Sequence, residues 1–205
     1  MALTAEQKEF FAEHGYLRYG RVLTDDELAA LRQRSADIVE GRAEHVPAAY
    51  VQRERQFRGE NDTEEVPVLD RTRKMTHLAY FDKLFESMAR KPEIVDVVEA
   101  LMGPNIKLYH DQLMMKPRYH GTVTDWHQDS PAWPWLIPQM AVSAWVALDD
   151  ATVENGCMTV IPGSHKWGPV PNEQKDAFLA MPELADPVPV ELPAGHCMFH
   201  HGQNM

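Results

Sequence analysis

The sequence predicts an α+β fold in which helices come first and a β-sandwich or barrel follows. Two observations carry this. Up to Gly103 the apolar residues recur at helical spacing between capping signals, whereas beyond it they gather in short runs rich in β-branched, aromatic and Met residues, punctuated by Pro and Gly. Helices followed by closely spaced strands mark a segregated architecture, not an alternating one.

Thr4 with Gln7 three residues on reads as a capping box, opening a helix through Phe10, Phe11 and His14 that Gly15 ends in a left-handed conformation. Tyr16-Leu17 reads as a short strand. Thr24 and Glu27 repeat the capping pattern ahead of Leu28, Leu31, Ser35, Ile38 and Val39, one apolar stripe closed by Gly41. Residues 52–65 are too polar and aperiodic to bury much surface, which predicts a mobile loop and a candidate lid. Pro92 as a first helical residue, then Ile94, Val95, Val97, Val98, Leu101 and Met102 before Gly103-Pro104, give a third helix. Strands are expected over residues 106–116, 122–129, 140–148, 158–161 and 196–201. The whole chain is expected to be a single domain, with a helical part over about 1–103 and a β part over about 104–205.

The 205 residues, 44% hydrophobic and 25% charged, are the balance of an ordinary folded soluble protein. No apolar run approaches the length of a membrane span, and the first residues lack a secretion signal, so a cytoplasmic protein without membrane partners is expected. A formal net charge of −11 repels a phosphate backbone and argues against nucleic acid. Cys157 and Cys197 are too few and too far apart for a disulfide framework and are expected to be buried thiols. There is no internal repeat or Gly-rich phosphate loop. Nothing in the sequence speaks to oligomeric state.

The ten histidines concentrate in the second half. Asp125-Trp126-His127-Gln128-Asp129 falls in an expected strand or at its end, where side chains two apart share a face, so His127 and Asp129 can converge. An imidazole and a carboxylate are two parts of the 2-His-1-carboxylate triad that binds iron(II) and leaves positions open. This many histidines among this many acids yields roughly one such spacing by chance, and a plain hydrogen-bonded His–carboxylate pair is the alternative.

The second half resembles the phytanoyl-CoA dioxygenase family of iron(II)/2-oxoglutarate oxygenases. The resemblance rests on His127-Gln128-Asp129, on the run from Val142 through Trp145 to Asp150, and on Glu154-Asn155-Gly156 leading to Pro162-Gly163-Ser164-His165. Phe11 to Leu17 and Thr24 to Leu28 extend it over nearly the whole chain. It implies a double-stranded β-helix (jelly-roll, cupin-like) core braced by N-terminal helices, with His127 and Asp129 as catalytic metal ligands for Fe(II). It also implies 2-oxoglutarate as cosubstrate and O2 as oxidant, with succinate and CO2 released and a small organic molecule hydroxylated or otherwise oxidised. Lys74, Gln112 and Trp145 match positions that hold 2-oxoglutarate. From the residues alone, Lys74 is equally a solvated lysine, Gln112 a sheet-face hydrogen bonder and Trp145 core packing. Asn155-Gly156 and Pro162 to His165 read as turn chemistry, and His165 is not counted as a ligand. Trp133, Pro134, Trp135 and Pro138 either cap a substrate pocket or pack a long loop.

The family's second ligand histidine, and an Arg for the far carboxylate of 2-oxoglutarate, are expected beyond Phe199-His200-His201-Gly202-Gln203-Asn204-Met205; otherwise His200 or His201 stands in. In related halogenases a small residue replaces the acid, so Asp129 favours hydroxylation. Two other readings compete: a jelly-roll binding module that has lost the distal ligand, and a zinc hydrolase, for which there is no HExxH-type motif.

Overall fold

The computed structural model describes residues 3–63, 65–132, 141–181 and 184–205. In chain order its helices and strands are α1 (Ala5–His14), β1 (Tyr16–Arg21), α2 (Asp25–Val39), β2 (Val51–Arg53), β3 (Thr72–Thr76), α3 (Leu78–Phe81), α4 (Lys83–Ala89) and α5 (Pro92–Met102), followed by β4 (Gln112–Met114), β5 (Val142–Val146), β6 (Met158–Val160), α6 (Lys175–Leu179), β7 (Val188–Val190) and β8 (His196–His201). No described helix is long and apolar enough to cross a membrane. Trp133, Pro134, Trp135 and Pro138 lie outside the described residues. The rest forms two compact units: one from the segments through Thr24, Pro92–Ile106 and Asp125 onward, the other from Asp25–Lys91 and Lys107–Thr124.

In the first unit, β8 lies between β1 and β5, antiparallel to both. Tyr16 and Ser143 both pair with His200, while Trp145 pairs with Met198. Alternation therefore puts Met198 and His200 on one face and Cys197, Phe199 and His201 on the other. The Met198 face packs with Tyr16, Ala147, Val160, Val190 and Leu192, and β6 pairs with β7 beside it. Helix α5 lies against β5 and α1 against β1. The α1 capping box forms as expected, with Thr4 and Gln7 bonding each other's backbone N–H, and Gly15 caps the helix at φ 77°. Gly15 is required twice over, because a Cβ there would also stand 2.4 Å from Nδ1 of His165. Of the two thiols, Cys197 is buried and Cys157 half-buried.

In the second unit the stripe read from the sequence is the stripe that is buried: Leu28, Leu31, Ser35, Ile38 and Val39 of α2. Strands β2, β3 and β4 form an antiparallel sheet in that order. Residues 52–65, expected as a mobile loop, instead contribute part of β2 and two single 3-10 turns. The charges there are partly consumed internally. Glu54 is buried, accepting hydrogen bonds from Arg73 and from the Thr122 hydroxyl at 2.8 Å. Residues 122–129 also depart from expectation, since they are irregular and not a strand. Strands β3 and β7 were not read from the sequence. The β3 run Thr-Arg-Lys-Met-Thr looks polar because Lys and Arg occupy it, and Pro189 interrupts β7, which survives by lying on the edge of a two-stranded sheet.

Asp82, buried, joins three elements of this unit. Its carboxylate accepts from the Leu84 amide at the start of α4, from Nε2 of His45 at 2.7 Å and from Arg34 on α2. Burial pushes this carboxyl up, but the hydrogen bonds from His45, Arg34 and Leu84 outweigh it and hold it below its ordinary value. A carboxyl lowered on folding stabilises the fold above the unfolded-state value of about 4 and ceases to do so as the pH falls through its own. Asp82→Ala is expected to cost on the order of 2–3 kcal/mol in urea unfolding at pH 7, and Asp82→Asn to flatten the loss of stability as the pH falls below about 4. An unchanged acid limb in Asp82→Asn would refute this role.

Candidate metal centre

The segment 125–130 is held by its surroundings in place of a strand ladder. Gln128 is buried, and its amide is fully used: Nε2 donates to the carbonyls of Gly168 at 3.0 Å and Gln203 at 2.7 Å, while Oε1 accepts from the Val170 amide at 2.8 Å. The Ser130 amide donates to the carbonyl of Gly202 at 2.7 Å. Gly202 has no room for a side chain, because a Cβ would fall 2.1 Å from Oγ of Ser130. Trp126 packs against Ile161, Val170 and Met205. The two flanking residues, His127 and Asp129, are thereby presented on a backbone tied to the end of β8.

His127 and Asp129 do converge, though by this local tethering and not by strand alternation. Nδ1–H of His127 donates to the Asp125 carbonyl at 2.8 Å, which leaves Nε2 as the lone-pair nitrogen of the neutral ring. Nε2 stands 3.3 Å from Oδ1 of Asp129. Oδ2 of Asp129 faces Nε2 of His200 at 3.3 Å and Oγ of Ser143 at 3.5 Å. Burial pushes the Asp129 carboxyl up, but the bonds from His127 and His200, with their charge, hold it well below the usual carboxylate range. The bond to Asp129 raises the proton affinity of His127 against the opposing effect of burial.

His201 lies on the opposite face of β8, accepts from the Gln203 amide at Nδ1 and packs beside His165 with ring centroids 5.3 Å apart. Burial, with His165 and His200 nearby, pushes it down to about 4. Between the two stand-ins that the sequence left open, the structure therefore brings His200 and not His201 to Asp129. His165 donates from Nε2 to the Ala12 carbonyl at 3.1 Å, consistent with a structural part. Trp145 is half-buried against the core cluster of the first unit. Lys74 and Gln112 lie in the second unit on adjacent strands, Lys74 opposite Met114 and Gln112 opposite Thr76, so the two share a sheet face.

Two donors in neighbouring positions about 2.1 Å from a metal are about 3 Å apart. The Nε2–Oδ1 separation of 3.3 Å, the free lone pair on His127 and the ionised carboxylate fit such a pair. Among the described residues no group of three or more His, Cys, Asp or Glu side chains is set to hold a metal ion. Sequence reasoning did not single out Gln128 as a supporting residue, and it named His200 only as a stand-in ligand beside His201. Gln128 sat in view between the two candidates, but nothing local distinguishes a buried amide with three partners from a solvated one.

Gln128→Ala is expected to leave a buried amide and two carbonyls unpaired, costing about 3 kcal/mol, or on the order of 10 °C in the unfolding midpoint. Gln128→Glu is expected to be no better, because a carboxylate cannot donate to the two carbonyls. A midpoint within about 1 °C of the unaltered protein for either variant would contradict the assignment.

The model of the family described as Phytanoyl-CoA dioxygenase (PhyH) matches residues 11–205. A probable phytanoyl-CoA dioxygenase of Caenorhabditis elegans is 30% identical over 179 residues, covering 83% of this chain and 55% of the relative. The peroxisomal phytanoyl-CoA dioxygenase of Mus musculus is 31% identical over 167 residues, covering 80% of this chain and 48% of its own length. The chain thus spans about half the length of the curated relatives it matches. In three dimensions it resembles EctD from S. alaskensis, a structure with 2-oxoglutarate and 5-hydroxyectoine, with a TM-score of 0.81 at 24% identity over 99% of this chain and 69% of that one. That likeness bears out the expected α+β fold with a jelly-roll core. With the family model covering all but the first ten residues, and the helix start, the His-Gln-Asp segment and the turn motifs falling within it, the chain belongs to the phytanoyl-CoA dioxygenase family.

Proposed function

We propose that this chain contributes the catalytic domain of an Fe(II)- and 2-oxoglutarate-dependent dioxygenase that hydroxylates, or otherwise oxidises, a small organic substrate with release of succinate and CO2. The observation that carries it is the pair formed by Nε2 of His127 and Oδ1 of Asp129, 3.3 Å apart, with the His127 tautomer fixed by Asp125. His127 and Asp129 would hold the metal. When bound, Fe(II) with 2-oxoglutarate supplies the means of activating O2.

The chain's own residues supply position and charge. The Asp125 carbonyl keeps the proton on Nδ1 of His127 and leaves Nε2 free to ligate. His200 and Ser143 bond the second oxygen of Asp129, which orients the carboxylate and keeps it ionised. On the family resemblance, Lys74, Gln112 and Trp145 are each read as residues that bind 2-oxoglutarate, Lys74 by offering its ammonium to a carboxylate. An acid at position 129, not a small residue, favours hydroxylation over halogenation. The net charge of −11 favours a small-molecule substrate over nucleic acid, and we read the protein as cytoplasmic.

The competing reading, a jelly-roll binding module without catalysis, draws on the two-donor character of the described site. Turnover separates them. With Fe(II), 2-oxoglutarate and O2, the protein is expected to form succinate slowly even without substrate, and Asp129→Ala to lower that rate at least about a hundredfold. No succinate above the protein-free background supports the binding module, and an undiminished rate in Asp129→Ala removes Asp129 from the site.

A further inference from the structure

The second unit contains an open cavity of about 490 Å³ lined by Gln52, Arg53, Phe57, Arg58, Gly59 and Asp62, within the size range of small-ligand sites. Its walls come from the end of β2 and the two 3-10 turns that follow, the stretch whose sequence looked like a solvated loop. The charges around it are unevenly matched. Glu54 turns away into its own contacts with Arg73 and Thr122. Asp62 is taken by Arg71, and its other oxygen lies 3.9 Å from Nε of Arg53, at the outer limit of an ion pair.

Among the described residues Arg58 has no carboxylate partner, and Arg53 has only Asp62, at 3.9 Å. Arg53 donates from Nη1 to the Thr72 hydroxyl at 2.9 Å, a neutral partner. Arg58 spends Nε on the Arg53 carbonyl at 3.0 Å, which directs its fork while leaving both Nη groups without an acceptor among the described residues. Burial pushes the Arg53 guanidinium down from its ordinary value, Asp62 only partly offsetting this and Arg71 adding to it. A partly dehydrated arginine whose carboxylate stands 3.9 Å away, that carboxylate being shared with Arg71, is an arrangement that a closer anion relieves. Gln52 adds an amide, and Phe57, largely buried and packed by His120 at a centroid distance of 5.0 Å, adds an apolar wall.

We propose that this cavity is a binding site for an oxyanion, a carboxylate or phosphate group carried on an apolar body, with Arg53 and Arg58 as its cationic jaws. The site does not depend on the oxygenase reading, because it needs neither metal nor 2-oxoglutarate.

The test is titration of the intact chain with phenyl phosphate and, separately, benzoate, following the Nε–H signals of arginine side chains by nitrogen-15 NMR. At least one probe is expected to shift the Arg53 and Arg58 signals saturably, with a Kd on the order of 1 mM. Binding should weaken roughly tenfold in Arg58→Gln, the loss of one charge-assisted contact. It should be unchanged in Arg118→Gln, an exposed arginine that does not line the cavity. Arg58 is exposed and makes one backbone contact, so its removal leaves the fold intact, and the Arg58→Gln result stands even if Arg53→Gln unfolds. Binding of the phosphate alone or the benzoate alone supports the site and identifies its anion. No saturable shift with either probe, or equal affinity in Arg58→Gln, overturns it.

Discussion

Residues 197–199 of β8 are wholly buried, so their N–H and C=O groups cannot turn to water and must find partners along both edges of the strand. β1 and β5 supply those partners, one on each side, and much of the first unit follows from that pairing. Once the strand is central, alternation decides its side chains, Met198 and His200 toward the core face and His201 away from it. Just past the end of that strand the chain offers the carbonyls of Gly202 and Gln203, which accept from Ser130 and Gln128. The irregular segment bearing His127 and Asp129 therefore borrows its rigidity from a strand distant in sequence. Such support suits a site, because ligands must be held to within a few tenths of an ångström.

The geometry at Asp129 sets an electrostatic condition. One carboxylate faces two imidazoles, and the His127 ring has already committed its Nδ1 proton to a carbonyl. A lone pair and an anionic oxygen 3.3 Å apart repel unless something positive lies between them. A proton and a metal cation are the two candidates for that gap. Without metal, the proton explains why His127 holds it more tightly than an ordinary histidine and why Asp129 stays ionised despite burial. With metal, the same arrangement presents two donors of the kind that the family's chemistry calls for.

Helices governed by local rules were legible in the sequence. The α1 capping box, the five buried positions of α2 and Pro92 at the start of α5 all stand where spacing and capping chemistry put them. Among strands, the apolar runs at residues 142–146, 158–160 and 196–201 were readable, whereas β3 hid behind Arg73 and Lys74 and β7 behind Pro189. At the candidate site the pair His127 and Asp129 was visible as a spacing, but the reason assigned to it, a pleated strand, was mistaken. The forces that bring the pair together act through Gln128, Gly202 and His200, whose partners are 40 to 75 residues away. The buried carboxylates Glu54 and Asp82 were invisible for the same reason: a single acidic letter does not reveal that Arg73, Arg34 or His45 will fold back onto it.

The central claim is that His127 and Asp129 jointly bind Fe(II) in the presence of 2-oxoglutarate. Its most direct test is optical: Fe(II) and 2-oxoglutarate are added to the protein without oxygen, and the weak visible charge-transfer band of the iron chelate is sought. The account predicts a band that saturates at one equivalent of Fe(II) and is abolished in both His127→Ala and Asp129→Ala. No band from the unaltered protein, or a band of full strength in either variant, would contradict it.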